Sequence, residues 1–221
     1  MTMIARATAG ETRLMAEFAA IYVGAPLVMA LALPPGWLFP MLFLVTVVGI
    51  ALLQITPGFH WRDLMHRPRR PVWPVVVGFV VVTLATSAGL MLALAPQALL
   101  ALPRQAPALW LTIMALYPLL SALPQELVFR VLFFRRYGAI LPPGLPARLL
   151  LNAAVFALAH LMYWNWVAPA MTFFGGLIFA WAYEKRRDFL LAFALHAIAG
   201  AILFTLGLGL WFYSGNAVRP F

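Results

Sequence analysis

Apolar runs of about twenty residues, separated by short segments that hold nearly every arginine, constrain this chain more than any other feature. About twenty apolar residues are what a helix needs to cross the hydrocarbon core of a bilayer. In that core only helices and closed barrels satisfy their own backbone polar groups. The runs cover about residues 18–33, 37–56, 72–95, 108–134, 147–164, 167–183 and 189–211. The expected fold is therefore an all-α polytopic transmembrane bundle of about seven spans. With 65% hydrophobic and 10% charged residues, a 221-residue chain has too little polar surface for a soluble domain. No internal repeat, low-complexity segment or linker divides it, so residues 1–221 read as one transmembrane domain. Acidic residues Glu11 and Glu17 precede the first run, and many spans follow it, so that run is expected to be a retained helix rather than a cleaved leader.

The net charge of +9 suggests nucleic acid only until the basic positions are placed. Arg6 and Arg13, then Arg62 to Arg70, then Arg135, Arg136 and Arg148, then Lys185 to Arg187 all fall on one side of a seven-span layout, while Arg104 and Arg219 fall on the other. The positive-inside rule then expects a cytoplasmic N-terminus, and a bacterial inner membrane suits such a chain. No basic face interleaved with aromatics is present, so the expected partners are the bilayer and a peptide or membrane protein, with no nucleic acid. The absence of cysteine excludes disulfides and thiolate chemistry. His60 and His66 belong to a basic topogenic loop and carry no site.

Against this background the segment Pro124-Gln125-Glu126-Leu127-Val128-Phe129-Arg130 stands out. Ionisable residues inside a membrane are expensive and mark function by default. Glu126 and Arg130 are four apart and share a helix face, where they can pair. Pro118 and Pro124 remove backbone donors in the same run and can kink it. Counted from the cytoplasmic ends of their helices, Glu126 lies about 13 Å deep, His160 about 20 Å and His196 about 10 Å. Three spans thus carry an ionisable group into comparable depths of one bilayer.

A carboxylate in a dry pocket can take a proton from a trapped water, while imidazoles donate to a developing oxyanion. That suits amide hydrolysis without a covalent intermediate. Glu126, His160 and His196 also form a familiar zinc ligand set, so a divalent metal such as zinc is the candidate cofactor, although no His-Glu-x-x-His helix supports it. A proton-coupled transporter would use similar groups, yet no pair of interrupted segments in matching halves is visible.

These residues resemble the CPBP, or Abi, intramembrane proteases, which include the type II CAAX prenyl endopeptidases. The family motifs Glu-Glu-x-x-x-Arg, Phe-x-x-x-His and His-x-x-x-Asn correspond here to Gln125-Glu126 with Arg130, Phe156 with His160, and His196 with Gly200. The resemblance implies a family-like core at about residues 108–213 and an intramembrane endopeptidase acting near the cytoplasmic side. It implies that Glu126 is the base or supports it, that Arg130 orients Glu126, that His160 positions the water, and that His196 stabilises the oxyanion. Two positions depart from the pattern. The first glutamate, which activates the water in the family, is Gln125, and the last polar residue falls on Gly200. Rotation of the helix by one residue would bring Glu126 into the base position, and Asn165 is a candidate to supply the lost amide. The competing reading is a catalytically silent relative that serves as an assembly, chaperone or immunity factor.

Overall fold

The computed structural model describes residues 3–66 and 71–219, with side chains from residue 10 onward. Arg67, Arg69 and Arg70 of the basic loop, and the side chain of Arg6, lie outside the described residues. The described chain is helical, without strands.

Seven long helices follow one another: α1 Gly10–Leu31, α2 Pro35–Gln54, α3 Trp73–Leu94, α4 Pro107–Arg136, α5 Leu145–Tyr163, α6 Val167–Ala180 with its extension Trp181–Lys185, and α7 Phe189–Leu206. Six are long and apolar enough to cross a membrane, and α6 is not among them. The expected polytopic helical bundle of about seven spans stands, with α6 alone of the seven helices below that measure. The cause is composition, since Pro169, Thr172, Gly175, Gly176, Glu184 and Lys185 dilute the apolar character of α6. Nevertheless α6 runs the whole distance between the two ends of the bundle. At one end Glu184 lies 3.7 Å from Arg148 at the start of α5. At the other, Asn165 just before α6 accepts from Ala168 N at 2.9 Å and donates to Trp211 O at 3.0 Å.

The basic residues gather at the first of these ends. Arg136, at the close of α4, donates to both carboxylate oxygens of Glu17 at 2.7 and 3.1 Å, and to the Leu52 carbonyl and Thr56 hydroxyl at the close of α2. Arg135 donates to the Tyr183 hydroxyl at 3.2 Å, and Arg186 to the Pro71 carbonyl at 3.1 Å. At the opposite end Arg219 donates to the carbonyls of Met29, Leu31 and Leu33, and Trp164 Nε1 donates to Ala30 O. The one-sided charge pattern of the sequence is thus a physical end of the molecule. Large apolar side chains such as Val47, Val82, Leu111 and Phe174 are exposed, as residues facing acyl chains should be.

Two departures from regular helix shape α4. Pro118–Ala122 and Leu127–Leu132 are π turns, on either side of the short α segment Leu123–Glu126. Pro118 and Pro124 cannot donate to the i−4 carbonyl, which opens the ladder where these turns form. A π turn displaces carbonyls from their regular partners, and here side chains take them. Tyr22 of α1 donates to Val128 O at 2.8 Å, and Asn152 of α5 donates to Phe129 O at 2.5 Å. Tyr22 is fully buried and meets Phe129, Phe133 and Tyr137 edge-on, so α1 clasps the distorted stretch of α4.

Two further details set the helices around the site. Gly176 of α6 faces Ala153 and Phe156, where a Cβ would approach Phe156 Cδ1 to 3.1 Å, so the missing side chain lets α5 and α6 pack closely. Asp188 caps α7, its carboxylate accepting from Leu191 N at 2.9 Å while 3% exposed. Asp188→Ala is expected to cost about 1 kcal/mol, the usual value of an N-cap. Thermal unfolding in detergent would check this, with Asp188→Asn, which keeps an acceptor, close to wild type.

Candidate active site

The four charged or ionisable residues singled out in the sequence are brought together by α4, α5 and α7. Glu126 and Arg130 are fully buried, and His196 is 5% exposed. Glu126 Oε1 accepts from His196 Nδ1 at 2.8 Å, and Glu126 Oε2 lies 3.5 Å from Arg130 Nε. Arg130 also donates through Nη1 to Asn152 Oδ1 at 2.5 Å and to Phe129 O at 3.2 Å. Its guanidinium carbon stands 4.8 Å from the centre of the Phe156 ring and 5.7 Å from that of Phe179, at cation–π distance. The carboxylate is thereby held between a guanidinium and an imidazole, and the charge of Arg130 is shared among an amide, a carbonyl and two ring faces.

With Glu126 a carboxylate, which only accepts, a neutral His196 carries its proton on Nδ1 and keeps the other ring nitrogen as a lone-pair acceptor. The imidazole lies flat on Phe179, with ring centres 4.9 Å apart and planes 12° apart. His160 is oriented by its own helix. Its Nδ1 donates to Phe156 O four residues earlier at 2.8 Å, one of the carbonyls left without a helical partner where α5 tightens into the 3-10 turn Leu161–Tyr163. Nε2 is again the free acceptor. Both histidines stand against Phe156, at ring-centre distances of 4.7 and 5.6 Å.

A cavity of about 1530 Å³ opens over these rings. Its walls are mainly apolar side chains, and the polar residues that line it include a patch of Tyr117, Ser121, Gln125, His160, Tyr163 and His196. Gln125 lines the cavity and Glu126 does not. The π turns on either side have not rotated Glu126 into the base position, so the expected helix rotation is overturned. Glu126 is fixed beneath the wall by Arg130 and His196.

Asn165 is likewise committed elsewhere, its amide donating to the carbonyls of Tyr163 and Trp211 and accepting from Ala168 N. It does not reach the polar patch. Among the described residues no group of three or more His, Cys, Asp or Glu side chains stands where it could hold a metal ion.

Asn152, Tyr117, Ser121 and Tyr163 of the site were not identified from sequence. Asn152 precedes Phe156 and His160 at steps of four, and Tyr117 and Ser121 precede Gln125 at the same step. Polar residues repeating every four positions in an apolar helix share a face, and that repeat was the available signal.

The fold and site define a membrane-embedded helical protein with a buried Glu-Arg-His cluster under a cavity. Residues 107–202 match the family described as type II CAAX prenyl endopeptidase Rce1-like. The chain is thus a multi-pass helical membrane protein that is CAAX-protease-like over this segment. No curated protein and no solved structure matches the chain.

Proposed function

We propose that the protein is an intramembrane endopeptidase that hydrolyses peptide bonds near the cytoplasmic side of the bilayer, with His196 rather than Glu126 as the group that takes the proton from water. The observation that carries this reading is the 2.8 Å bond from His196 Nδ1 to Glu126 Oε1, made at the wall of the cavity by a carboxylate that is itself held by Arg130. A buried carboxylate that fixes the tautomer of an imidazole and stabilises the imidazolium it becomes is the arrangement that makes histidine an effective general base. His160, its Nδ1 occupied by Phe156 O, offers Nε2 to hold the attacking water. Glu126 and Arg130 act through His196 and are positioning residues.

The reading is tested on purified protein in lipid nanodiscs with membrane-peptide reporters, products being identified by mass spectrometry. His160→Ala and Glu126→Ala are each expected to abolish cleavage, His160→Ala while the protein still folds. Turnover that survives both changes refutes the assignment.

One observation favours a second reading. Gln125 lines the cavity where the family pattern has a glutamate, and an amide cannot act as a base. A silent relative would bind an apolar segment of a membrane protein in this cavity. It predicts a stoichiometric co-purifying partner, retained in His160→Ala, and no product from the folded wild type.

A further inference from the structure

The two departures from the family pattern, Gln125 and Gly200, meet at one side chain. A Cβ built at position 200 would lie 2.0 Å from Tyr117 Cε1 and 2.7 Å from the Tyr117 hydroxyl oxygen. Tyr117 therefore occupies the space into which a side chain at position 200 would extend, and it brings a hydroxyl there. On the other side, Gln125 Nε2 donates to Ser121 Oγ at 2.9 Å, and Ser121 stands one turn after Tyr117 on the same face of α4. Tyr117, Ser121 and Gln125 stand at four-residue steps along α4, and all three line the cavity.

The chemistry of the groups gives this chain a direction. An amide nitrogen only donates, so Ser121 Oγ accepts from Gln125. The single proton of Ser121 is then left for another acceptor, and where the Tyr117 oxygen one turn earlier takes it, the phenolic proton is left for the cavity. Hydrogen bonds that run in one sense polarise one another. A carboxylate at position 125 would only accept, drawing the Ser121 proton toward itself and reversing the chain.

We infer that the Tyr117 hydroxyl is the hydrogen-bond donor to the carbonyl oxygen of the scissile peptide, and that Ser121 and Gln125 are positioning residues that turn its proton toward that oxygen. The inference rests on the peptidase reading above. It makes the glutamine at 125 and the glycine at 200 parts of one device: the glycine makes room for the tyrosine, and the glutamine orients its proton. The Tyr117 ring stands 6.2 Å from the His196 ring, edge to face, so donor and base act from neighbouring places.

The test uses the full-length protein in nanodiscs and the reporter peptide that wild type cleaves. Tyr117→Phe keeps the ring, its contact with Phe204 and the fit against Gly200, and removes only the O–H. It is expected to lower kcat by about 10²–10³, the loss typical of one oxyanion donor, with KM little changed. Ser121→Ala is expected to lower kcat, and Ser121→Thr, which keeps a hydroxyl, to recover most of it. Gln125→Glu is expected to lower kcat as well. Wild-type kcat in Tyr117→Phe, or a raised kcat in Gln125→Glu, overturns the inference while leaving the peptidase reading intact. A folded wild type that yields no product overturns the peptidase reading and the inference with it.

Discussion

Replacing Arg130 by methionine is expected to destabilise the fold by about 3–5 kcal/mol, the usual result of removing one partner from a buried ion pair. Glu126 would keep its place 0% exposed, with His196 on one oxygen and no cation beside the other. Asn152 would lose the donor to its Oδ1, and the faces of Phe156 and Phe179 would lose their guanidinium. Methionine fills much of the arginine volume, so the loss measured is electrostatic more than steric. Adding Glu126→Gln to Arg130→Met should recover part of the stability, because the amide still accepts from His196 but carries no charge. Thermal unfolding in nanodiscs, read for wild type, Arg130→Met and the double variant, checks both statements. An Arg130→Met protein that melts with wild type would show that Arg130 does not hold α4 to α5.

Much of this cluster was legible because membranes penalise charge. Glu126, Arg130, His160 and His196 are conspicuous in an otherwise apolar chain, and spacing alone placed Glu126 and Arg130 on one face. The separation of the bundle into a basic and a nearly uncharged end followed from the arginines, and Arg136 and Arg148 do meet acidic residues at that end. What could not be read was the facing of Gln125 against Glu126. Adjacent residues on a helix differ by about 100°, and a π turn shifts that phase. The two π turns of α4 are set by prolines and by carbonyl partners on α1 and α5, which are long-range contacts absent from any local pattern. Tyr117 was missed for a related reason. Its importance depends on Gly200, eighty-three positions away in sequence, and a glycine in an apolar helix carries no mark of what fills the space beside it.

Replacing His196 by glutamine is expected to lower kcat by about 10²–10⁴, the contribution usual for a general base. Glutamine can keep a hydrogen bond to Glu126 through its amide, so the carboxylate is not orphaned and the stability cost stays small beside that of Arg130→Met. What it lacks is a basic nitrogen on the cavity side. Binding of the peptide depends mainly on the apolar walls of the cavity, so KM should change little, and the effect belongs to the transition state. Glu126→Gln tests the same relay from below. If its amide nitrogen turns to His196, the imidazole must accept at Nδ1 and carry its proton on Nε2, where it can no longer act as a base. A large loss in both variants, with folding preserved, assigns the proton transfer to the histidine and the orientation to the glutamate. Wild-type kcat in His196→Gln would return the role of base to another residue of the polar patch.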